Sequence, residues 1–184
     1  MQITKVLTPL FKTEITSNTI NQVAWLAFRA VVGFVIIHNG VDKISDIEGF
    51  SKAYVEVIGL PFPIFFSYLA ALTELVAPPL VILGLFTRPA ALGLFSTMAV
   101  AIYHHVLVAG FSIPYLELSA VYASCFLFLT VNGPGRLSID QLISNTLAKR
   151  SVVEKENQEK MLEKSFQAAS GSKVGSDADR KSVV

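Results

Sequence analysis

Cys125 is the only cysteine among 184 residues, which excludes an intramolecular disulfide, a CxxC redox pair and a thiolate metal cluster. Charge is scarce as well. Only 16% of residues are charged, and the net charge of +1 supplies neither a basic field for nucleic acid nor an acidic one for a cationic partner. The first twenty residues, MQITKVLTPLFKTEITSNTI, lack a continuous apolar run and a small-residue cleavage site, so no removable signal peptide is expected there. Internal repeats, a phosphate-binding glycine loop and a histidine pair at i,i+4 spacing are all missing, and no metal site is expected. A redox role would therefore require a bound cofactor or a partner.

What the sequence does hold is apolar surface. The hydrophobic fraction is 52% and the mean hydropathy is +0.55, with most charges confined to loops and to the last third. A bilayer core of about 30 Å needs roughly 20 mostly apolar helical residues. Four stretches meet this requirement: Gln22 to Asn39, Pro63 to Leu85, Pro89 to Leu107 and Pro114 to Val131. Pro63, Pro89 and Pro114 fall at or near first turns, where a missing N–H costs least. The expected fold is an all-α membrane protein, a bundle of four transmembrane helices. It divides the chain into an N-terminal segment (1–21), the transmembrane domain (22–143) and a charged tail (144–184).

Lys5, Lys12, Arg88, Arg136, Lys149 and Arg150 flank one side of this bundle. The other side has Lys43 and Lys52 diluted by Asp42, Asp46, Glu48 and Glu56. The asymmetry predicts cytoplasmic N- and C-termini in a bacterial inner membrane or its equivalent. Between the first two spans, Ile47, Phe50, Ala53, Tyr54, Val57 and Ile58 recur at helical spacing, with Gly59 as a stop. This pattern predicts a short amphipathic interfacial helix, a lid on the bundle. In the tail, Ser151 to Gln167 can form a charged helix with i,i+4 pairs, and ASGSKVGSDADRKSVV reads as disordered.

Ionisable residues at bilayer depth cost at least ~2.5 kcal/mol each unless paired. Arg29 in the first span and Glu74 in the second sit at depths that permit a mutual ion pair. Such a pair either fixes helix packing or floors a polar cavity. Gly33 and Gly40, on the Arg29 stripe with Lys43, read as a packing seam. At the far end, His38 and Asn39 close the first span, Tyr103, His104 and His105 close the third, and Tyr115 and Glu117 open the fourth. These residues read either as interfacial anchors or as groups able to hydrogen-bond a quinone and relay its protons. Adjacent helical positions point about 100° apart, so one of His104 and His105 should face the bundle.

The runs RAVVGFVIIHNGVDKI, GFSKAYVEVIGLPFPIFFSYLAALTELVAPPLVILGLFTRPAAL and NGPGRLSIDQLI resemble the DoxX family of small membrane proteins. The likeness extends from about Ala24 to Ile143. On its pattern Arg29, His38, Gly40, Lys43, Glu74, Arg88, Gly133, Gly135, Arg136 and Asp140 are the family positions. The resemblance implies a four-helix membrane bundle, and relatives described as parts of membrane oxidoreductase complexes. The expected function is a quinone-interacting subunit associated with such a system. Arg29, His38, Asn39, Lys43, Glu74, His104, His105 and Glu117 form its candidate polar site, and Gly40, Arg88, Gly133, Gly135, Arg136 and Asp140 its structural motif. A bound quinone is the expected ligand, with no covalent cofactor and no residue assigned to catalysis. The partners expected are the lipid bilayer and other membrane subunits. The alternative is a non-catalytic accessory or assembly subunit of a larger membrane complex.

Overall fold

The computed structural model describes residues 18–180, with side chains to residue 164; the expected N-terminal segment lies largely outside the described residues. Six helices follow in order: α1 (Thr19–Ser45), α2 (Ile47–Phe50), α3 (Pro63–Leu83), α4 (Thr87–Ala109), α5 (Ile113–Asn132) and α6 (Ile139–Arg180). Four of them, α1, α3, α4 and α5, are long and apolar enough to cross a bilayer. They match the four expected spans, although α1 begins earlier and runs on through Lys43 to Ser45.

Sequence explains most of the boundaries. Asn18 caps α1, its side chain accepting from the Ile20 amide at 3.0 Å. Pro63 occupies the first turn of α3 and Pro114 that of α5. Gly84 ends α3 with φ +69°. Helix α1 packs on α3, α3 on α4 and α4 on α5. The ring of helices closes where Trp25 of α1 meets Phe128 of α5, with centroids 4.8 Å apart.

Small and medium apolar side chains fill the centre: Val32, Ile36, Ala77, Val81, Leu94, Met98, Phe126 and Leu129. Others, such as Phe34, Val76 and Val121, are exposed on the outer faces of the helices, where hydrocarbon is the surrounding solvent. Gly33 and Gly40 both line the α1–α3 seam, and Gly40 permits the closer approach to backbone, since a Cβ there would sit 2.9 Å from the carbonyl carbon of Glu74. Hydroxyls in the spans bond back to their own helices: Ser67 to Pro63, Thr73 to Leu69, Ser96 to Leu92 and Ser124 to Ala120, all at 2.7–2.8 Å.

The interfacial segment is helical, but not uniformly α. After α2, residues Ser51–Val55 form a π-helical turn. The wider turn shifts the phase of the stripe. Ser51 and Val55 become fully buried, while Ala53, Tyr54 and Val57, expected on the inner face, are left partly exposed. Gly59, with φ +74°, terminates the segment as expected.

Helix α6 begins in the bundle unit, and from Asn145 onward it belongs to a second compact unit. It runs unbroken to Arg180, beyond the point where composition predicts disorder. Once a helix is nucleated, each added residue needs only one further hydrogen bond. Lys160 pairs with Glu156 at 2.7 Å on its surface.

Candidate functional site

The polar residues buried in the bundle separate into two groups at opposite ends. At the end where α1 starts and α5 finishes, they form a clasp. Arg29 is 1% exposed; its Nη1 donates to the carbonyl of Pro134 and its Nη2 to that of Leu137 at 2.6 Å. Trp25 Nε1 donates to the Gly133 carbonyl at 3.0 Å, and the Arg136 amide donates to Gln22 Oε1 at 2.7 Å. Asp140 is fully buried, and its two oxygens accept from the amides of Phe86 at 2.8 Å and Thr87 at 3.0 Å. A carboxylate there caps α4 and meets the positive end of its dipole. It also holds Phe86 in the left-handed region at φ 47°, which a bulky side chain otherwise avoids.

The segment after α5 is thus a structural element. Gly135 has φ +85°, and a Cβ would lie 2.6 Å from the Trp25 ring, so only glycine fits. Arg88 is half-buried in the first turn of α4, and the side chain of Arg136 is exposed. Of the expected structural positions, Gly133, Gly135, Arg136 and Asp140 all meet in this clasp, and Gly40 serves the α1–α3 seam.

The second group surrounds a cavity of about 1040 Å³ at the opposite end, between the lid and the helices. Asn39, Lys43, Phe50, Tyr54, Glu74, Thr97, His104 and His105 line it, together with apolar residues such as Phe66, Leu69 and Leu118. Lys43 Nζ forms an ion pair with Glu74 Oε2 and lies over the Phe50 ring, 5.3 Å from its centroid. Glu74 is 1% exposed. His104 Nε2 lies 3.1 Å from the Ala53 carbonyl, and its ring centroid is 4.5 Å from that of Tyr54. These contacts tie the lid to α4. His105 is half-buried beside it, with its ring 6.5 Å from that of Tyr115.

Three expectations need correction. The Arg29–Glu74 pair does not form, because α1 continues past Asn39 and carries Lys43 to Glu74 instead. Arg29 sits fourteen residues earlier, roughly 21 Å away along the axis at 1.5 Å per residue, and floors no cavity. His38 lies outside the site: it is exposed on α1 and meets Asp42 at 3.2 Å on the same face. Glu117 is also exposed and absent from the cavity wall, because the inward face of α5 is set by Leu116 and Ser119.

The structure also brings in residues that sequence reasoning left out. Tyr54 was expected only as one of the lid's apolar residues, yet it packs against the candidate histidine. Trp25 and Gln22 complete the clasp. Gln22 opens the first apolar span and so reads in the sequence as an ordinary boundary residue. Pro78 and Pro79 lie inside α3, which continues through them, and lacking N–H groups they deprive the Glu74 and Leu75 carbonyls of their usual i+4 donors. These two carbonyls lie beside the buried carboxylate, at the level where Gly40 approaches.

The DoxX family model matches residues 24–110. The chain is similar to the inner membrane protein YphA of Escherichia coli, with 31% identity over 123 residues, covering 63% of this chain and 87% of that protein. It is also similar to an uncharacterized membrane protein, Rv3486, of Mycobacterium tuberculosis, with 30% identity over 131 residues, covering 65% and 80% respectively. No solved structure matches the chain.

Proposed function

The chain belongs to the DoxX family, and on that footing we propose that it is the quinone-binding subunit of a membrane oxidoreductase or electron-transfer system. The cavity under the lid carries this reading. It has the volume of a small-molecule site, and a few convergent polar groups interrupt an apolar wall. Lys43 spends one ammonium hydrogen on Glu74 and keeps others for a headgroup oxygen. Phe66, Leu69 and Leu118 offer the apolar surface that an isoprenoid tail requires. With both termini cytoplasmic, the lid and cavity face the outer side of the membrane.

Purification in mild detergent followed by lipid extraction tests the proposal. A stoichiometric quinone, reduced in amount by Glu74→Gln, is the expected result. Its absence from the wild-type protein, with no binding of added quinone, would refute it.

A second reading, an accessory or assembly subunit, draws on α6, where Val152, Val153, Met161 and Leu162 are exposed amid charge. Under this reading, truncation after Arg150 abolishes co-purification with membrane partners and leaves the bundle's unfolding unchanged.

A further inference from the structure

A cavity of about 1040 Å³ holds a drug-sized molecule, which is ample for a headgroup. Along α4 its lining runs from His104 under the lid to Gly93, eleven residues or roughly 16 Å. A polyprenyl tail of ten isoprene units is longer than the ~30 Å hydrocarbon core itself. Such a tail has to leave through a wall that opens onto hydrocarbon. Leu69 of α3 and Val100 of α4 meet that condition, since both line the cavity and are 50% and 46% exposed. Ser96, about one turn from Val100, lines the cavity and is exposed as well. Between these two helices the lining is small: Ala70 and Thr73 on α3, Gly93, Ser96, Thr97 and Ala101 on α4. The slot ends where a Cβ on Gly93 would meet Thr73 Cγ2 at 3.3 Å. Its hydroxyls suit a hydrocarbon chain. Thr73, Ser96 and Thr97 donate to the carbonyls of Leu69, Leu92 and Leu94 at 2.7, 2.8 and 2.9 Å, so none presents an unpaired hydrogen.

We propose that the slot between α3 and α4 is the lateral exit for the ligand's tail, so that the cavity takes a long-tailed quinone loaded from the half of the bilayer on the lid's side. The assignment rests on the quinone reading of the same cavity. Other edges suit a tail less well. On α1 the exposed lining residues are Asp42 and Asp46, carboxylates whose hydration an apolar chain would displace. On α5 the lining residues Leu118 and Tyr122, one turn apart, are both large. Lipid chains are as apolar as the slot, so moving a tail from one to the other contributes little affinity. What the slot supplies is passage, and the small side chain of Ser96 is a specificity determinant because it leaves that passage clear. A plug there penalises a tailed ligand and spares a tail-less one.

Two measurements on the purified full-length protein test this assignment: retention of ubiquinone-10 through gel filtration in mild detergent, and calorimetric titration with the tail-less 2,3-dimethoxy-5-methyl-1,4-benzoquinone. Ser96→Trp should lower ubiquinone-10 retention about tenfold or more, as overpacking a filled passage does, and leave the tail-less affinity unchanged. Val100→Trp, at the same edge, should repeat that result, and it decides the matter if Ser96→Trp does not fold. Leu118→Trp, on α5, should leave both ligands bound as in the wild type. Undiminished ubiquinone-10 retention in the two slot variants overturns the proposal. So does an equal loss of both ligands, which would mean a distorted cavity rather than a blocked exit, and so does a selective loss in Leu118→Trp instead. If the wild-type protein binds neither ligand, the quinone reading itself fails, a result distinct from the others.

Discussion

Lys43 reaches Glu74 across the α1–α3 seam at the level where Gly40 brings the two backbones together. The approach and the ion pair depend on each other. A side chain at position 40 would hold the helices apart, and an unpaired carboxylate at position 74 would have no water to turn to.

The pair should therefore behave as a unit. Lys43→Met leaves a carboxylate that is 1% exposed without its counter-charge and should cost about 3 kcal/mol. Glu74→Gln should cost less, because the Lys43 ammonium borders the cavity. The double variant should recover more than half of the loss, as measured by reversible unfolding in mixed micelles. Additive single effects would show that the two residues are energetically independent.

Gly40→Ala should destabilise the bundle by about 1–3 kcal/mol, since the new methyl meets the Glu74 backbone, which cannot yield, as well as Leu75 Cγ. Gly93→Ala is the control. Its Cβ would lie 3.3 Å from Thr73 Cγ2, a side-chain methyl that can yield, and the change should fall well below that of Gly40→Ala in the same unfolding assay.

Asp140→Ala removes both acceptors at the start of α4 and should cost about 1–2 kcal/mol. Asp140→Asn keeps one acceptor and should lose roughly half as much. Amide hydrogen exchange provides the local check: Phe86 and Thr87 should lose protection in Asp140→Ala. Unchanged exchange there would show that the cap is not formed in the membrane.

The proposed orientation has a direct test. In a Cys125→Ser background, Glu56→Cys on the lid should react with a membrane-impermeant maleimide added outside intact cells. Asn157→Cys on α6 should react only after the membrane is opened. The opposite pattern would invert the topology.

The spans were legible because hydropathy and first-turn prolines are local signals. The lid was legible too, except for its phase, since a π-helical turn leaves no mark in a period-3.6 count. The ion pair was missed for an equally physical reason. Ending α1 at Asn39 treated Lys43 as a flank, although Val41 and Ile44 continue the helical pattern and Lys43 shares a stripe with Gly40. Arg29 is the deepest cation, yet backbone carbonyls of a distant segment accept from both its Nη groups, and no spacing rule reveals such partners. The outward turn of His38 and Glu117 depends on how each helix rotates about its axis. That rotation is set by packing at Gly40 and Leu116 rather than by the residues themselves.

The capping carboxylate of α4 lies 54 residues beyond the amide it serves. A ribosome adding about 5–20 residues per second delivers Asp140 roughly 3–10 s after Phe86. The third span therefore enters the membrane with a provisional N-terminus, and a nascent chain stopped at Asn132 contains every span yet lacks the cap. Closure of the bundle is in this sense a late event in biogenesis, governed by a short motif that never enters the bilayer core.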